Sequence, residues 1–286
     1  MTSGAQTAPF RLAVDIGGTK ADVALVSSDG VVRRRARVDV RGNLSLLDDL
    51  IATSREMTLN AHVLGAGVAC AGPVFDEGRR VSPLNIPQWR DVPLRGLLEE
   101  SLQMPVGVDG DVRALALAEQ RFGGAIHRRN FASLVVSTGI GGALVLDGRL
   151  VHGRTGNAGH LGHLIAVPEG HECSCGSRGC LEAEASGWAL ERNLGGSPHN
   201  ADADTRRRVG ELVGRTVGST LCVLDIDVCF VSGSVALGFG DSFFQSANRA
   251  AADVAKLSYC ESVTFVPSAL GEDAPLLGAA CVGWDS

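Results

Sequence analysis

Short apolar runs separated by glycine turns open the chain. Residues 11–16 (Arg-Leu-Ala-Val-Asp-Ile) end at Gly17-Gly18, residues 21–26 stop at Asp29-Gly30, and residues 31–38 follow. Runs of this length punctuated by Gly predict three strands in an antiparallel meander. The pattern then turns helical over residues 46–61, with Ser45 as the candidate N-cap. It returns to a buried strand at 63–69 and is helical again at 94–102 and 112–122. Residues 112–122 are rich in strong helix formers and start just after Asp111, an acceptable N-cap.

The meander signature comes back roughly 120 residues later. Residues 132–137 are apolar, Gly139-Ile-Gly-Gly142 is the turn, residues 143–146 are apolar, and Asp147-Gly148 closes the unit. One motif written twice predicts two related lobes. Beyond it the spacing predicts helices over 183–194, over 205–224 with Asp204 as N-cap, and over 243–257. A strand is expected at 228–232 and a closing helix over 276–282 that packs back on the first lobe. Residues 195–204 read as a surface loop.

Length agrees with that division, since 286 residues exceed what one hydrophobic core usually holds. The chain is 45% hydrophobic and 20% charged, the balance of an ordinary globular protein. Its net charge of -6 disfavours a nucleic-acid partner but not a small polyanion, which backbone N–H groups at Gly turns can hold. Residues 1–9 lack a basic stretch followed by an apolar run, and nowhere do roughly 18 apolar residues follow one another. A secretory signal and a membrane partner are therefore not expected, and a cytoplasmic location is. Of 8 cysteines, Cys173, Cys175 and Cys180 crowd together, whereas the rest are scattered in mostly apolar surroundings. In a reducing compartment such a cluster points to a metal and not to disulfides.

Three sets of residues carry chemistry. In Asp15-Ile-Gly-Gly-Thr-Lys20 a strand ends near a carboxylate, and Gly17 and Gly18 let backbone N–H groups approach a phosphate. Asp15 is suited to Mg²⁺, which prefers oxygen ligands; the alternative is a tight hairpin with a polar edge residue. Ser137-Thr-Gly-Ile-Gly-Gly142 repeats this physics through Thr138, Gly139 and Gly141, and Gly233 follows a third strand. Two such turns describe a clamp for a triphosphate. Finally, His163, Cys173, Cys175 and Cys180 provide one imidazole and three thiolates, the ligand set of a closed structural zinc site.

These motifs resemble the ROK family of sugar kinases and repressors, within the actin-like, hexokinase-like superfamily. The likeness runs through Asp15–Thr19, Ala71-Gly-Pro73, Asn85-Ile-Pro-Gln-Trp89, Asp111, Ser137–Gly142, Gly156–His163, Cys173–Glu182, Ser232–Val235 and Gly278–Ala280. It implies an α/β, two-lobed actin-like ATPase fold with duplicated ribonuclease H-like lobes about a cleft. Residues 1–112 would form the N-terminal lobe, joined by the C-terminal helix 274–286, and 113–273 the C-terminal lobe. The resemblance further implies ATP-dependent phosphorylation of a hexose, at the primary 6-hydroxyl, with Asp111 as general base. ATP and Mg²⁺ would be held by Asp15, Gly17, Gly18, Thr19, Lys20, Thr138, Gly139, Gly141 and Gly233, and Zn²⁺ would be structural. Sugar contacts fall to Asn85, Asp109, Gly110, Asp111, Gly156, His160, His163 and Glu182, with His163 serving zinc by one ring nitrogen and the sugar by the other. A homodimer is the expected assembly.

Two positions depart from the family. Gly110 replaces an Asn before the base, and His160 replaces a Glu. Both family residues face hydroxyls in the middle of the ring, and a polar pocket rejects ligands that leave its groups unpaired. The departures therefore predict a modified sugar, such as the amino sugar kanosamine with its ammonium received by Asp109, in place of plain glucose. The other readings are an ordinary glucokinase and a non-catalytic sugar-binding regulator. The latter has no room for a helix-turn-helix before the first strand near Arg11.

Overall fold

The computed structural model describes residues 9–83 and 85–285. In chain order the elements are β1 (Phe10–Ile16), β2 (Lys20–Ser27), β3 (Val32–Asp39), α1 (Leu46–Thr58), β4 (Val63–Cys70), β5 (Val74–Phe75), β6 (Arg80–Val81), α2 (Leu94–Leu102), β7 (Val106–Gly110) and α3 (Asp111–Phe122). They continue with β8 (Phe131–Val136), β9 (Ile140–Leu146), β10 (Arg149–Leu150), α4 (Leu181–Ala185), α5 (Gly187–Leu194), α6 (Ala203–Leu224), β11 (Val228–Ser232), α7 (Ser234–Phe239), α8 (Asp241–Val254), β12 (Thr264–Pro267) and α9 (Ala274–Asp285). The chain forms two compact units, one of residues 1–122, 152–157 and 270–286, the other of 123–151 and 158–269. The first unit thus runs to Phe122, past the division at 112 read from the sequence, because α3 packs on α9.

In the first unit the sheet order is β3-β2-β1-β4-β7. The three-stranded meander is antiparallel, and β1, β4 and β7 are parallel. Alternation sorts β1 into two faces. Leu12, Val14 and Ile16 join the core that holds Leu46 and Leu50 of α1 and Leu94 and Leu98 of α2. Ala13 joins the core built with α3 and α9. Small residues are needed on that second face because α9 lies almost on the backbone: a Cβ at Gly67 would come within 1.9 Å of Ala279 O. The parallel strands end level, with Ile16 paired to Cys70 and Cys70 to Gly110.

The second unit repeats the plan, in the order β10-β9-β8-β11-β12. Here β8 and β9 are antiparallel, while β8, β11 and β12 run parallel. Helices α6 and α8 cover one face with Val209, Val213, Val217, Phe243 and Ala247. The repeat read from the sequence is therefore a repeat of topology.

Several local expectations shift. The helix expected over 46–61 stops at Thr58, and the Ser45 side chain makes no capping hydrogen bond. Residues 183–194 are two helices, since Ser186 interrupts and caps the second through Ala189 N–H. Asp202, and not Asp204, caps α6, its carboxylate accepting from Thr205 N–H at 2.8 Å. Asp111 is the first residue of α3, where its own carboxylate accepts from Val112 N–H at 2.8 Å. The loop at 195–204 contains a 3₁₀ turn, Pro198–Asn200. Strands β7 and β12 and helix α7 carried too few patterned residues to be read from the sequence.

Candidate functional site

In open α/β sheets, ligands gather outside the carboxyl ends of the parallel strands. In the first unit that edge carries Asp15 on β1, Cys70 on β4, and Asp109, Gly110 and Asp111 at the junction of β7 and α3. The turn after β1 is closed by Gly17 N–H donating to Lys20 O at 3.0 Å. It stands directly against Asn85, since a Cβ at Gly18 would lie 2.7 Å from Asn85 Cβ. Gly17, Gly18, Thr19, Lys20, Asn85, Asp109, Gly110 and Asp111 therefore all belong to one region. Lys20 Nζ reaches Asp22 at 4.0 Å and is otherwise turned to solvent.

Crowded acids shape the electrostatics here. Burial, then the charges of Asp111 and Asp22, push the Asp15 carboxyl up to about 7 against the opposing pull of Lys20. Burial also raises Asp111, opposed by the hydrogen bond from Val112 N–H. Asp111 keeps solvent access, which limits how far that shift goes. Burial, then the charges of Asp111 and Asp15, push the Cys70 thiol well above its usual range, so it is a neutral filler beneath the acids. Two carboxylates that repel each other suit a divalent cation with oxygen preferences.

One oxygen of Asp109, read from the sequence as a receiver for an ammonium group, is already engaged. Its Oδ1 accepts from Arg113 Nε at 2.6 Å and from Gly110 N–H at 2.7 Å. Arg113, which pattern reading places on a plain helix, is buried and also donates to His152 Nδ1 at 2.8 Å. Gly156 lies in the 152–157 segment of this unit, which Asn157 Nδ2 anchors on Val74 O at 3.0 Å.

The second unit presents Ser137–Gly142 between β8 and β9. Its carbonyls are taken up by the start of α5, with Gly187 N–H on Ser137 O at 2.7 Å and Trp188 N–H on Thr138 O at 3.0 Å. Glu182 Oε2 accepts from Ile140 N–H at 2.9 Å and would sit 2.7 Å from a Cβ at Gly139. That carboxylate is thus tied by one oxygen to the turn. Ser234, just after Gly233, places its hydroxyl 3.0 Å from that of Ser137. Both serines lie in motifs legible in the sequence, but their pairing, like that of Arg113 with His152, was not, because it depends on a partner remote along the chain.

Next to this turn lies the thiol cluster. The 3₁₀ turn Leu161–His163 is seated on β9, where a Cβ at Gly162 would fall 2.0 Å from Ile140 O. His163 Nδ1 lies 3.6 Å from Cys173 Sγ, and Cys175 Sγ lies 3.6 Å from Cys180 Sγ. All four donor atoms fall within 4.8 Å of one another. A zinc tetrahedron with bonds of about 2.0–2.3 Å has edges of about 3.3–3.8 Å, the range in which both 3.6 Å pairs fall, so the donor set suits such an ion. Burial pushes the Cys180 thiol up to about 12, while Ser177 N–H draws Cys175 down. A bound cation supplies the charge that lets a buried thiol bind as thiolate. Because Nδ1 faces the sulfurs, Nε2 of His163 faces away. His160 stacks on it, ring centroids 6.0 Å apart. Glu184, buried one turn beyond Cys180, steadies the loop through His171 N–H at 2.6 Å.

The chain resembles known proteins over almost its whole length. Residues 11–284 match the model of the ROK family. A glucokinase of Thermotoga maritima is 30% identical, over 95% of this chain and 96% of the relative. An N-acetylmannosamine kinase of Haemophilus influenzae is 29% identical, over 94% and 93%. The crystal structure of a ROK family glucokinase from Streptomyces griseus, in complex with glucose and AMPPNP, superposes with a TM-score of 0.83 at 26% identity, over 97% of this chain and all of that one. Among the described residues, no helix is long and apolar enough to cross a membrane.

Proposed function

The chain belongs to the ROK family and is a sugar kinase; from that premise we propose that it transfers the γ-phosphoryl group of ATP to the 6-hydroxyl of a modified hexose, with Asp111 as general base. The observation that carries this is the placement of Asp111 at the carboxyl end of β7, on the same sheet edge as Asp15 and the Gly17–Gly18 turn.

The chemistry needs few groups. The hydroxyl oxygen forms a bond to the γ-phosphorus as the bond to the β–γ bridging oxygen breaks. The hydroxyl proton passes to the Asp111 carboxylate, and ADP leaves. Phosphoryl transfer depends on positioning and charge neutralisation more than on covalent chemistry. A carboxylate whose proton affinity is raised by burial is a better base near neutral pH than an ordinary aspartate. Gly18 and Thr19 of the first turn are suited to offer backbone N–H groups to phosphate oxygens, the Gly17 N–H being spent on Lys20 O; Thr138, Gly139 and Gly141 of the second turn, with Gly233 beside it, have the same character. Asp15 is the residue suited to hold Mg²⁺, which supplies charge neutralisation for the triphosphate when bound. His163, Cys173, Cys175 and Cys180 would hold structural zinc, which organises the loop and leaves His163 Nε2 for a sugar hydroxyl. Asn85, Gly156, His160 and Glu182 complete the sugar contacts in this reading. Reduced thiols at such a cluster suit a cytoplasmic protein.

Selectivity for a modified sugar rests on Gly110 and His160. No backbone constraint demands glycine at 110: its φ is ordinary, and a Cβ there would first meet Arg113 Cδ at 3.5 Å. The missing side chain is therefore missing hydrogen bonds and added room. An amino or otherwise altered glucose, kanosamine among them, fits that change better than glucose does. In this reading the altered position is met by His160 and by the Asp109 carboxylate, whose Oδ1 is shared with Arg113. The test is a kinase assay across glucose, mannose, glucosamine, N-acetylmannosamine and kanosamine. A glucose kcat/KM above all others refutes the altered specificity and makes the protein a glucokinase.

A further inference from the structure

We propose that Arg113 is a positioning residue for this kinase, joining the strand end that carries Asp111 to the 152–157 loop through His152. The proposal rests on the reading of Asp111 as the base. Arg113, in the first turn of α3, lies four residues beyond Asp109 at the end of β7, and the two side chains are only 8% and 16% exposed. A guanidinium buried to that degree is costly unless its donors are satisfied, so its acceptors decide where it lies. Asp109 Oδ1 takes Nε at 2.6 Å, and the same oxygen takes Gly110 N–H at 2.7 Å. The backbone immediately before Asp111 is thereby pinned to the Arg113 head group.

The other end of the guanidinium reaches His152 Nδ1 at 2.8 Å. Arginine can only donate, so Nδ1 is the acceptor and the ring proton is on Nε2. His152 opens the 152–157 segment, and Asn157 closes it on Val74 O at 3.0 Å. Between these anchors Gly153 and Gly156 have φ of +68° and +85°. No side chain at those two positions helps to pack the segment, so its path depends on its ends. Gly110 belongs to the same device. The stem of Arg113 flanks the position where a side chain at 110 would stand, 3.5 Å from its Cδ and 3.9 Å from its Cγ. At this strand end, then, an amide that could touch the sugar is absent at 110, and the Asp109–Arg113 ion pair braces the backbone beside it. The effect is geometric, because the proton affinity of Asp111 is set by its burial and by Val112 N–H.

A loop held in one arrangement binds its ligand without first having to find it. Loss of one charge-assisted hydrogen bond should raise the sugar KM about tenfold. His152 is exposed, so its replacement leaves the core intact. The experiment uses the full-length chain with His152→Ala and His152→Asn, and the sugar of the five-member panel with the highest kcat/KM. The expected result for His152→Ala is a sugar KM and calorimetric Kd about tenfold higher, with kcat within about threefold and the ATP KM unchanged. In His152→Asn, the amide oxygen stands where Nδ1 stood and should restore KM to within about twofold. A His152→Ala enzyme with the normal sugar KM, or an Asn variant as impaired as the Ala variant, overturns the proposal. Sugar binding measured by calorimetry needs no turnover, so it reports on this brace even if Asp111→Asn stays active and the base assignment itself fails.

Discussion

Asp15→Asn is the most informative single perturbation, because it should stabilise the folded chain while disabling it. In the ligand-free protein the Asp15 carboxyl is pushed up to about 7, by burial and by its acidic neighbours. An unfolded aspartate titrates near 3.9, so between roughly pH 4 and pH 7 the folded chain binds more protons than the unfolded one. Stability contributed at this site is therefore greatest below about pH 4, falls as the pH rises, and is at its lowest above the folded value of about 7. Three pH units at 1.36 kcal/mol each set a ceiling of about 4 kcal/mol, and partial solvent access brings the working figure to about 2 kcal/mol. Asn keeps the shape of the protonated acid and cannot ionise. For a unit of this size, about 2 kcal/mol corresponds to roughly 4–8 °C in Tm. Thermal melts without nucleotide, in EDTA, should place Asp15→Asn that far above wild type at pH 8, with the gap closing to about 1 °C at pH 4.5. Equal melting temperatures at pH 8, or a gap independent of pH, refute the reasoning. The same variant should lose most of its kinase activity, an exchange of stability for function that active-site charges commonly show.

Other outcomes follow from the same geometry. Asp111→Asn should lower kcat by about 10²–10⁴ while the sugar Kd from calorimetry stays within about threefold; a kcat near wild type removes Asp111 from the base role. Cys175→Ser should reduce bound zinc from about one equivalent to near none by elemental analysis, and lower Tm, while Cys260→Ser, outside the cluster, keeps its metal. A zinc-free Cys175→Ser enzyme with full activity and Tm speaks against a structural ion. Gly233→Ala should cost about 2–4 kcal/mol and raise the ATP KM, since Gly233 has φ of +98° and a Cβ there would lie 2.3 Å from Val136 O. An unchanged urea midpoint for that variant contradicts the close approach.

What could be read from the residues alone was everything that repeats or sits close along the chain. The Gly-bounded meanders, the duplicated motif, the strands at 63–69 and 228–232 and the closing helix all depend on local periodicity and turn chemistry, and most emerge within a residue or two of their observed limits, although β9 begins three residues early, at Ile140 inside the expected turn, and α9 runs three residues past 282. The thiol cluster was legible for the same reason: three of its four donors fall within eight positions. Ser186 and Asp202 were missed because either of two nearby polar residues satisfies a cap pattern, and only the path of the backbone chooses between them. Strands β7 and β12, of five and four residues, are too short for their pattern to rise above background.

Folding alone settled which charges meet. Nothing local says that Asp15 and Asp111, 96 positions apart, share one sheet edge, where the charge of Asp111 raises the cost of ionising Asp15. Nor does spacing reveal that Asp109 is already matched by Arg113, or that Arg113 reaches across 39 residues to His152. Electrostatic and hydrogen-bond energies depend on distance in space and on exclusion of water, and neither is a property of distance along the chain.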